Sequence, residues 1–280
     1  MYKTWKRILP PGLRHRLMIA WYDRLAQWGA DGSLSFLNHG YAPPEGPSET
    51  LLLAPEDEAN RYWIQLYHCL ASHIDWQDAR VLDVSCGPGG GSDWLARAFS
   101  PAHLLGIDIA PEAVALANRQ FGRDGLLFQV GDAEKLPFPK DSFDIIINIE
   151  SSLNYQNFDA FVKSVDRVLA PGGHFLIADY RNHRKRLLLD ASLARLNYKT
   201  IWQADLTAGI LRSHAFTRQA KTDLVETRVP RFLRGLVRRF ADLDEEDTVS
   251  GLHRFTSGHR VYFGYVLKKP STEVKNVILR

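Results

Sequence analysis

Apolar runs of strand length alternate along the chain with stretches in which apolar residues recur every three or four positions. The runs predict seven β-strands, at residues 80–84, 104–107, 128–130, 145–148, 174–178, 198–203 and 259–268. The periodic stretches predict helices at residues 13–28, 56–74, 93–99, 158–169, 182–196, 207–224 and 232–240. Strands that alternate with helices form parallel sheets with both faces covered. We therefore predict an α/β fold with a doubly wound, mostly parallel seven-stranded sheet, in which the aromatic last strand is antiparallel.

The first strand leads into a loop that carries four glycines among residues 87–91, and a helix follows at once. Glycines allow a tight turn and let a ligand approach the backbone closely. The second strand ends in Asp108, twenty-one residues after Gly87. A carboxylate at that place can bind the two hydroxyl groups of a ribose. The pattern therefore predicts a nucleotide-type ligand at the carboxyl edge of the sheet.

The composition of this loop distinguishes between nucleotide ligands. Its Gly-Pro-Gly-Gly-Gly sequence lacks the spacing that seats a pyrophosphate, and Pro88 removes one amide donor. Asp83, within the preceding strand, would repel a phosphate and attract an ammonium group. After the third strand, Asp132 can accept a hydrogen bond from an adenine amine, with the Ala133 amide as a nearby donor. These features favour a cationic nucleoside that bears an amino acid.

Five motifs in this order resemble the class I S-adenosylmethionine-dependent methyltransferases. They are VLDVSCGPGG, LLGIDIAPEAV, VGDAEKLPF, SFDIII and RVLAPGGHFLIAD, and together they cover about residues 80–180. The resemblance implies a Rossmann-like fold, S-adenosyl-L-methionine as the cofactor, and a helical substrate lid. It divides the chain into an N-terminal helical cap and lid (1–75), a cofactor-binding core (76–181), and a helical substrate-binding insertion with the last core strands (182–280).

The resemblance and the spacing together nominate residues for the cofactor site. These are Tyr41, Asp83, Ser85, Gly87, Gly89, Asp108, Ile109, Asp132, Ala133, Glu134 and Asn148. Tyr41 stands in an Asn-x-Gly-Tyr segment that would close over the methionine end of the cofactor. An alternative is that this aromatic ring only anchors a loop to the core.

The acceptor side is less regular than the cofactor side. Related O-methyltransferases often carry a histidine three or four residues beyond a glutamate after the fourth strand, where this chain has Leu153 and Asn154. We therefore expect catalysis to involve Asn154, with Asp179 or His183 as the base; a solvated surface histidine is the alternative for His183. The residues expected to contact the substrate are Glu150, Ser151 and Tyr155.

Segments outside the core resemble the lipid and polyketide O-methyltransferase branch, of the phthiotriol/phenolphthiotriol dimycocerosate methyltransferase type. They include residues 36–38, 58–61, 66–68 and 229–234. The resemblance implies O-methylation of an apolar small molecule in secondary metabolism. Methylation of sulfur, nitrogen or a carboxyl group remains open, as does a catalytically silent cofactor-binding protein.

A net charge of +3 hides an asymmetry along the chain. Residues 81–180 hold 13 acidic and 7 basic residues, whereas residues 181–240 hold 14 basic and 4 acidic residues. The basic part contains the predicted helix 232–240, which is either a solvated helix balanced by the acidic turn 242–247 or a contact with a membrane or an acyl carrier protein. A nucleic-acid methyltransferase is a further alternative, but no recognised RNA-binding motif is present.

The remaining composition is that of an ordinary globular protein. Apolar residues make up 45% of the chain and charged residues 24%, and no apolar run has the length of a membrane span. The two cysteines, Cys69 and Cys86, do not suggest a structural disulfide, so we expect a cytoplasmic protein. We expect no metal site and no nucleic-acid partner, and the sequence leaves the oligomeric state open.

Overall fold

Seven strands form a single sheet in the order β3-β2-β1-β4-β5-β7-β6. The computed structural model describes residues 10–29, 34–44, 51–241, 243 and 251–271. The strands are β1 (Arg80–Val84), β2 (His103–Asp108), β3 (Leu126–Val130), β4 (Phe143–Ile149), β5 (Leu169–Arg181), β6 (Lys199–Asp205) and β7 (Val261–Lys268). The first five are parallel to one another, and β7 is antiparallel to both β5 and β6. The predicted α/β sheet with an antiparallel last strand is confirmed.

Nine α-helices accompany the sheet in the described residues. They are α1 (Pro11–Trp28), α2 (Arg61–Ala71), α3 (Gly90–Phe99), α4 (Pro111–Phe121), α5 (Phe158–Val168), α6 (His183–Ala194), α7 (Thr207–Arg228), α8 (Arg231–Phe240) and α9 (Gly251–Thr256). Short 3-10 helices lie at Pro55–Asn60, Ala133–Lys135 and Ser152–Asn154. No helix of the described residues is both long and apolar enough to cross a membrane.

Alternate side chains of each central strand enter two separate cores. Val81 of β1 packs into the core that α2, α3 and α4 cover, together with Ile145 and Ile147 of β4. Leu82 of β1 and Ile146 of β4 face the other way, into the core that α5 and α6 cover. Because both faces are buried, the strands read as continuous apolar runs rather than as alternating ones. This layering places the carboxyl ends of β1, β2 and β4 side by side at one edge.

Most predicted elements end within four residues of those observed, two differ more, and the sequence pattern did not predict α4 or α9. The predicted helix 56–74 is a 3-10 helix, Pro55–Asn60, followed by α2, because Asn60 adopts φ −105° and ψ 10° at the junction. The predicted strand 174–178 is longer, because Leu169 already pairs with Phe143 before the register shifts. Of the predicted acidic turn 242–247, only residue 243 lies within the described part.

Gly91 lies in the first turn of α3, where a Cβ atom would overlap the ring of Tyr67. Gly91→Ala is therefore expected to lower the free energy of unfolding by about 1–3 kcal/mol. The matched control is Gly235→Ala in α8, where nothing lies within 4 Å of an added Cβ. That change is expected to raise the free energy of unfolding by about 0.5–1 kcal/mol, since alanine favours helix. Urea unfolding of both variants measures the contrast, and equal effects would contradict it.

Candidate active site

A cleft opens at the carboxyl edge of the sheet, where the neighbouring strands β2, β1 and β4 end. The space inside it, counted out to the open mouth, is about 960 Å³. In open α/β sheets, ligands bind where the order of strands reverses. Here the reversal lies between β1 and β4, since β2 and β3 extend from β1 in one direction and the later strands in the other. The cleft therefore occupies the expected place for a ligand.

The floor of the cleft is the glycine loop between β1 and α3. Ser85 and Gly87 line the cleft and have positive φ angles of 62° and 56°. Gly89 has a φ of 93°, and a Cβ there would lie 2.9 Å from that of Ala117. The Gly90 amide donates to the carbonyl of Ser35, at 3.1 Å. The loop thus turns tightly beneath the cleft and holds the segment that covers it.

Asp108 ends β2 and lines the cleft. Its Oδ2 accepts a hydrogen bond from the Gly87 amide at 3.0 Å, and its Oδ1 accepts one from the Ala110 amide at 2.9 Å. Burial raises the pKa of this carboxyl, while the amides of Ala110, Gly87 and Ile109 oppose the rise. These amides fix the carboxylate in place while each oxygen keeps a further lone pair. Asp108 can therefore accept two hydroxyl groups from one ligand.

The turn after β3 forms one side wall, with Asp132, Ala133 and Glu134 in the lining. Asp132 caps this turn by accepting from the Glu134 amide at 2.9 Å. The Glu134 carboxylate accepts from the amides of Gln156 and Asn157, at 2.7 and 2.8 Å. Glu134 thereby joins this wall to the segment that follows β4.

A hydroxyl network joins the ends of β1 and β4. The Tyr155 hydroxyl lies 2.9 Å from the Ser85 Oγ and 2.9 Å from the Ser151 Oγ, and Asn148 Nδ2 donates to it at 2.8 Å. Burial raises the pKa of Tyr155, although these three neighbours oppose the rise. Tyr155 therefore remains a neutral hydroxyl, and it can stabilise a polar ligand without adding charge.

Glu150 lies immediately after β4, lines the cleft, and has a φ of 53°. Its Oε2 is 2.6 Å from Nδ1 of His39, and its Oε1 accepts from the His39 amide at 2.8 Å. The Tyr262 hydroxyl donates to the same Oε1, at 2.7 Å. A non-glycine residue at positive φ costs free energy and persists only where its surroundings hold it. Three donors from distant parts of the chain hold this carboxylate at the cleft.

The charged residues that line the cleft determine which ligands it favours. Among the described residues that line the cleft, Asp108, Asp132, Glu134 and Glu150 are acidic, and none is lysine or arginine. An acidic cleft favours a cation and disfavours a pyrophosphate, which would need basic partners or amide donors. A nucleoside with a sulfonium and an ammonium group fits these carboxylates.

Comparison with known proteins decides the family. Residues 82–177 match the model of the "Methyltransferase domain" family. Over 220 residues the chain is 39% identical to a phthiotriol/phenolphthiotriol dimycocerosates methyltransferase of Mycobacterium leprae, covering 79% of this chain and 81% of the relative. Over 215 residues it is 39% identical to a fatty-acid O-methyltransferase of Mycolicibacterium smegmatis, covering 75% of this chain and 76% of the relative.

The chain belongs to the S-adenosylmethionine-dependent methyltransferases.

A solved structure confirms the fold of this methyltransferase. Geranyl diphosphate C-methyltransferase from Streptomyces coelicolor A3(2) superposes with a TM-score of 0.61 at 16% identity, covering 89% of this chain and 97% of that one. At that identity the likeness shows the fold alone. The cofactor of the methyltransferase is S-adenosyl-L-methionine, and the acidic lining of its cleft fits that cation.

Eleven of the residues nominated from the sequence line the cleft of the methyltransferase. They are Ser85, Gly87, Asp108, Ile109, Asp132, Ala133, Glu134, Glu150, Ser151, Asn154 and Tyr155. Their contacts with the cofactor or the acceptor stay predictions. Asn154 also donates to the Tyr22 hydroxyl, at 3.2 Å, which connects the acceptor side to α1.

The two residues expected to supply the base do not reach the cleft. Asp179 is fully buried beneath the 3-10 helix Ser152–Asn154. Its Oδ2 accepts from the Ser152 hydroxyl and the Leu153 amide and lies 3.0 Å from Arg181. These contacts satisfy the carboxylate and make it a support for the turn that carries Asn154. His183 is exposed at the first position of α6, which accords with the alternative of a solvated surface histidine.

Four further nominated residues lie around the cleft rather than in its lining. Asp83 is buried and accepts from the Ser92 hydroxyl at 2.6 Å, and Asn148 is buried within the hydroxyl network. Gly89 turns the loop below the cleft. The Tyr41 ring packs so closely on Gly209 of α7 that a Cβ there would overlap it. The structure thus places Tyr41 as an anchor of its loop against α7, the alternative considered for it.

Sequence reasoning missed His39, which lies beside the residues that cover the cleft. Met18 and Tyr22 of α1 and residues 35–38 line it, and in the described part no lining residue follows Tyr155. The expected lid of inserted helices therefore lies behind this cover instead of over the cleft. From there α7 supports the cover, since the Ser213 hydroxyl donates to the His39 carbonyl at 3.2 Å. The signal in the sequence was the Asn-His-Gly-Tyr segment, of which only the tyrosine was predicted to contact the cofactor.

Burial raises the pKa of Asp83 to about 7, with the Ser92 hydrogen bond opposing and the charge of Asp108 adding to the rise. Between the ordinary carboxyl pKa of 3.8 and about 7, the folded chain holds a proton that the unfolded chain has released. The free energy of unfolding should therefore fall as pH rises through this window. Asp83→Asn has no proton to release at this position, so it does not show this decrease. The free energy of unfolding of the variant minus that of the wild type should therefore increase by about 2 kcal/mol from about pH 5.5 to about pH 8. Urea unfolding of the cofactor-free protein at both pH values tests this, and a pH-independent difference would contradict it.

Proposed function

We propose that this methyltransferase transfers a methyl group to a hydroxyl oxygen of an apolar, lipid-like small molecule. The observation that carries the proposal is the His39–Glu150 pair, in which a cleft-lining carboxylate lies 2.6 Å from an imidazole. S-adenosyl-L-methionine, when bound, supplies an activated methyl group on a positively charged sulfur. A neutral hydroxyl acceptor needs a base to remove its proton, whereas a carboxylate needs none.

We infer from the geometry of the pair that His39 is that base. A carboxylate oxygen can only accept, so Nδ1 would carry the hydrogen of this contact and Nε2 the lone pair that accepts a proton. The acceptor's O–H proton would pass to Nε2 while its oxygen takes the methyl group, and the S–C bond to that methyl group would break to leave a neutral thioether. The Glu150 carboxylate stabilises the resulting imidazolium and keeps the ring oriented, as a carboxylate does for a catalytic histidine. The Tyr262 hydroxyl, at 2.7 Å, fixes Glu150 for this role.

Aromatic rings pack around His39 and fix the position of its imidazole. The ring centroids of Tyr180, Phe255 and Tyr262 lie 5.3, 6.0 and 6.4 Å from that of His39, all in edge-on arrangements. The His39 side chain is 21% exposed, and its neighbours Asn38 and Glu150 line the cleft. The names of the two curated relatives, one for phthiotriol and phenolphthiotriol dimycocerosates and one for fatty acids, support a lipid-like acceptor.

We assign the cofactor's position from the same lining. Asp108 would bind the ribose hydroxyls, and Asp132 and the Ala133 amide would bind the adenine edge. Glu150 would face the positively charged end. A cytoplasmic location, supply of the acceptor by a membrane or an acyl carrier protein, and a role in secondary metabolism stay predictions.

An acceptor panel tests the proposal. The purified protein is incubated with methyl-labelled cofactor and with long-chain alcohols, phenols, fatty acids, amines, thiols and short polar alcohols. We expect label on the oxygen of the long-chain hydroxyl compounds. Transfer mainly to fatty acids, amines or thiols would overturn the hydroxyl assignment. Cofactor binding without transfer to any acceptor would favour a catalytically silent protein.

A further inference from the structure

One side of α8 is exposed along its whole length and carries apolar side chains between arginines. Arg231, Phe232, Gly235, Leu236 and Arg239 are all exposed, and their spacing places them on one face of the helix. Phe232 is 85% exposed and Leu236 is 46% exposed. Exposed apolar side chains that lie together on a protein surface mark a binding site more often than isolated ones do.

A similar face occurs on α1. Leu13 and Leu17 are 44% and 41% exposed, and Arg16 and Arg24 are exposed beside them. Arg24 donates to Gln27 at 3.0 Å and stays on the outside of the helix. The apolar and basic pattern of α8 is therefore repeated on a second helix.

The two helices belong to one packed unit. Trp21 and Trp28 of α1 pack against a buried cluster that includes Val229 and Val237, and Val237 lies on the inner side of α8. Met18 and Tyr22, on another side of α1, line the cleft. α1 thus contributes both to the cover of the active site and to the packing against this cluster. We call the set Leu13, Arg16, Leu17, Arg231, Phe232, Leu236 and Arg239 the α1–α8 surface.

Exposed arginines accompany the apolar side chains of this surface. They are Arg16 and Arg24 on α1 and Arg231 and Arg239 on α8, and α8 itself contains no acidic residue. A surface that joins exposed rings and leucines to net positive charge is complementary to an anionic lipid surface, where the apolar groups enter the acyl region and the arginines reach the headgroups.

We propose that the α1–α8 surface binds the anionic face of a lipid bilayer, with Phe232 and Leu236 entering its apolar region. Membrane binding of this kind goes beyond the proposed function, because it depends on the surface alone and not on the atom that is methylated. It would bring the cover of the cleft, which α1 forms, against the lipid phase. An apolar acceptor could then enter the cleft without crossing water.

Sedimentation of the full chain with vesicles tests the proposal. The probes are phosphatidylcholine vesicles with and without phosphatidylglycerol, at low and at high salt. We expect binding to the anionic vesicles to be at least about 10-fold tighter than binding to the neutral ones. Binding to the anionic vesicles should weaken at high salt, because salt screens the attraction between the arginines and the headgroups. Arg231→Gln with Arg239→Gln should weaken binding roughly 10- to 30-fold, from the loss of two surface bases.

Matched variants on α6 distinguish binding by this surface from nonspecific binding. Phe232→Ser with Leu236→Ser should abolish most binding, whereas Leu187→Ser with Leu188→Ser, which alters two leucines that are 67% and 63% exposed, should not. Arg184→Gln with Lys185→Gln, at two exposed bases of α6, is the charge control. An unchanged melting temperature and cofactor affinity show that each variant is folded.

Three outcomes would overturn the proposal. These are equal binding of the surface variants and the α6 controls, equal binding to neutral and anionic vesicles, and binding to an acidic acyl carrier protein with none to vesicles. A protein that binds vesicles but methylates no hydroxyl compound would contradict only the proposed function.

Discussion

Replacing Asp108 by alanine is expected to weaken the binding of S-adenosyl-L-methionine by one to two orders of magnitude. The carboxylate lines the cleft at the end of β2 and is held by two backbone amides, at 3.0 and 2.9 Å. Hydrogen bonds to a charged group contribute about 1.5–3 kcal/mol, which corresponds to this loss. Titration calorimetry with the cofactor measures it directly.

Two further variants make this measurement specific to the ribose contact. Asp108→Asn keeps one oxygen acceptor and should lose less affinity than Asp108→Ala. Asp144→Ala removes a carboxylate near the amino end of β4, where it pairs with Arg80 at 2.8 Å, far along the strand from the cleft. It should leave cofactor affinity unchanged. Unaltered affinity in Asp108→Ala, with a folded protein, would contradict the assignment of Asp108.

Replacing His39 by alanine is expected to lower kcat with a long-chain hydroxyl acceptor by about 10²- to 10⁴-fold, the usual contribution of a general base. Cofactor affinity should change little, since the residues assigned to the ribose and the adenine, Asp108, Asp132 and Ala133, belong to β2 and the turn after β3 and not to the segment of His39. Glu150→Gln should also lower kcat, because the amide cannot stabilise an imidazolium as a carboxylate does. Steady-state kinetics with the cofactor held at saturation measures both effects.

The control for His39 is the other histidine considered as a base. His183→Ala alters an exposed side chain at the start of α6 and should leave kcat unchanged. A carboxylate acceptor provides an internal check, because it needs no base and should be methylated equally by the wild type and His39→Ala. A small loss of kcat with hydroxyl acceptors, or an equal loss with both acceptors, would contradict the role of His39 as base.

The cofactor side of this site could be predicted because its chemistry is local. The glycine loop and Asp108 lie twenty-one residues apart, within one strand–helix–strand unit, and the backbone requirements of the loop restrict its residues. The prediction of parallel strands then places both at the same edge of the sheet. Ile109, Asp132 and Ala133 follow by the same rule, since each comes after the end of a strand.

The acceptor side could not be predicted, because it depends on contacts between distant segments. His39 and Glu150 are 111 residues apart, and Glu150 and Tyr262 are 112 apart. No periodicity connects such positions; only the packing of the 35–42 segment between the glycine loop and α7 brings them together. The same packing turns Tyr41 toward α7 and His39 toward Glu150. In an irregular segment, the sequence does not indicate in which direction two nearby side chains point.

The position of Asp179 shows why a motif residue can be assigned a wrong place. The strand-ending acid suggested a base at the carboxyl edge, as for Asp108. Asp179, however, pairs with Arg181 and supports the 3-10 helix above it, whereas Asp108 faces the cleft. Asp108 ends β2 and Asp179 lies two residues before the end of β5, and only the chain that covers them decides which one a ligand can reach.

A crystal structure of the protein with S-adenosylhomocysteine, the demethylated cofactor, tests the central claim most directly. The account predicts both ribose hydroxyls on the Asp108 carboxylate, the adenine edge beside Asp132 and Ala133, and the sulfur on the side of the cleft where Glu150 and His39 lie. A ligand bound in the reverse direction, or bound outside the cleft between β1, β2 and β4, would contradict it.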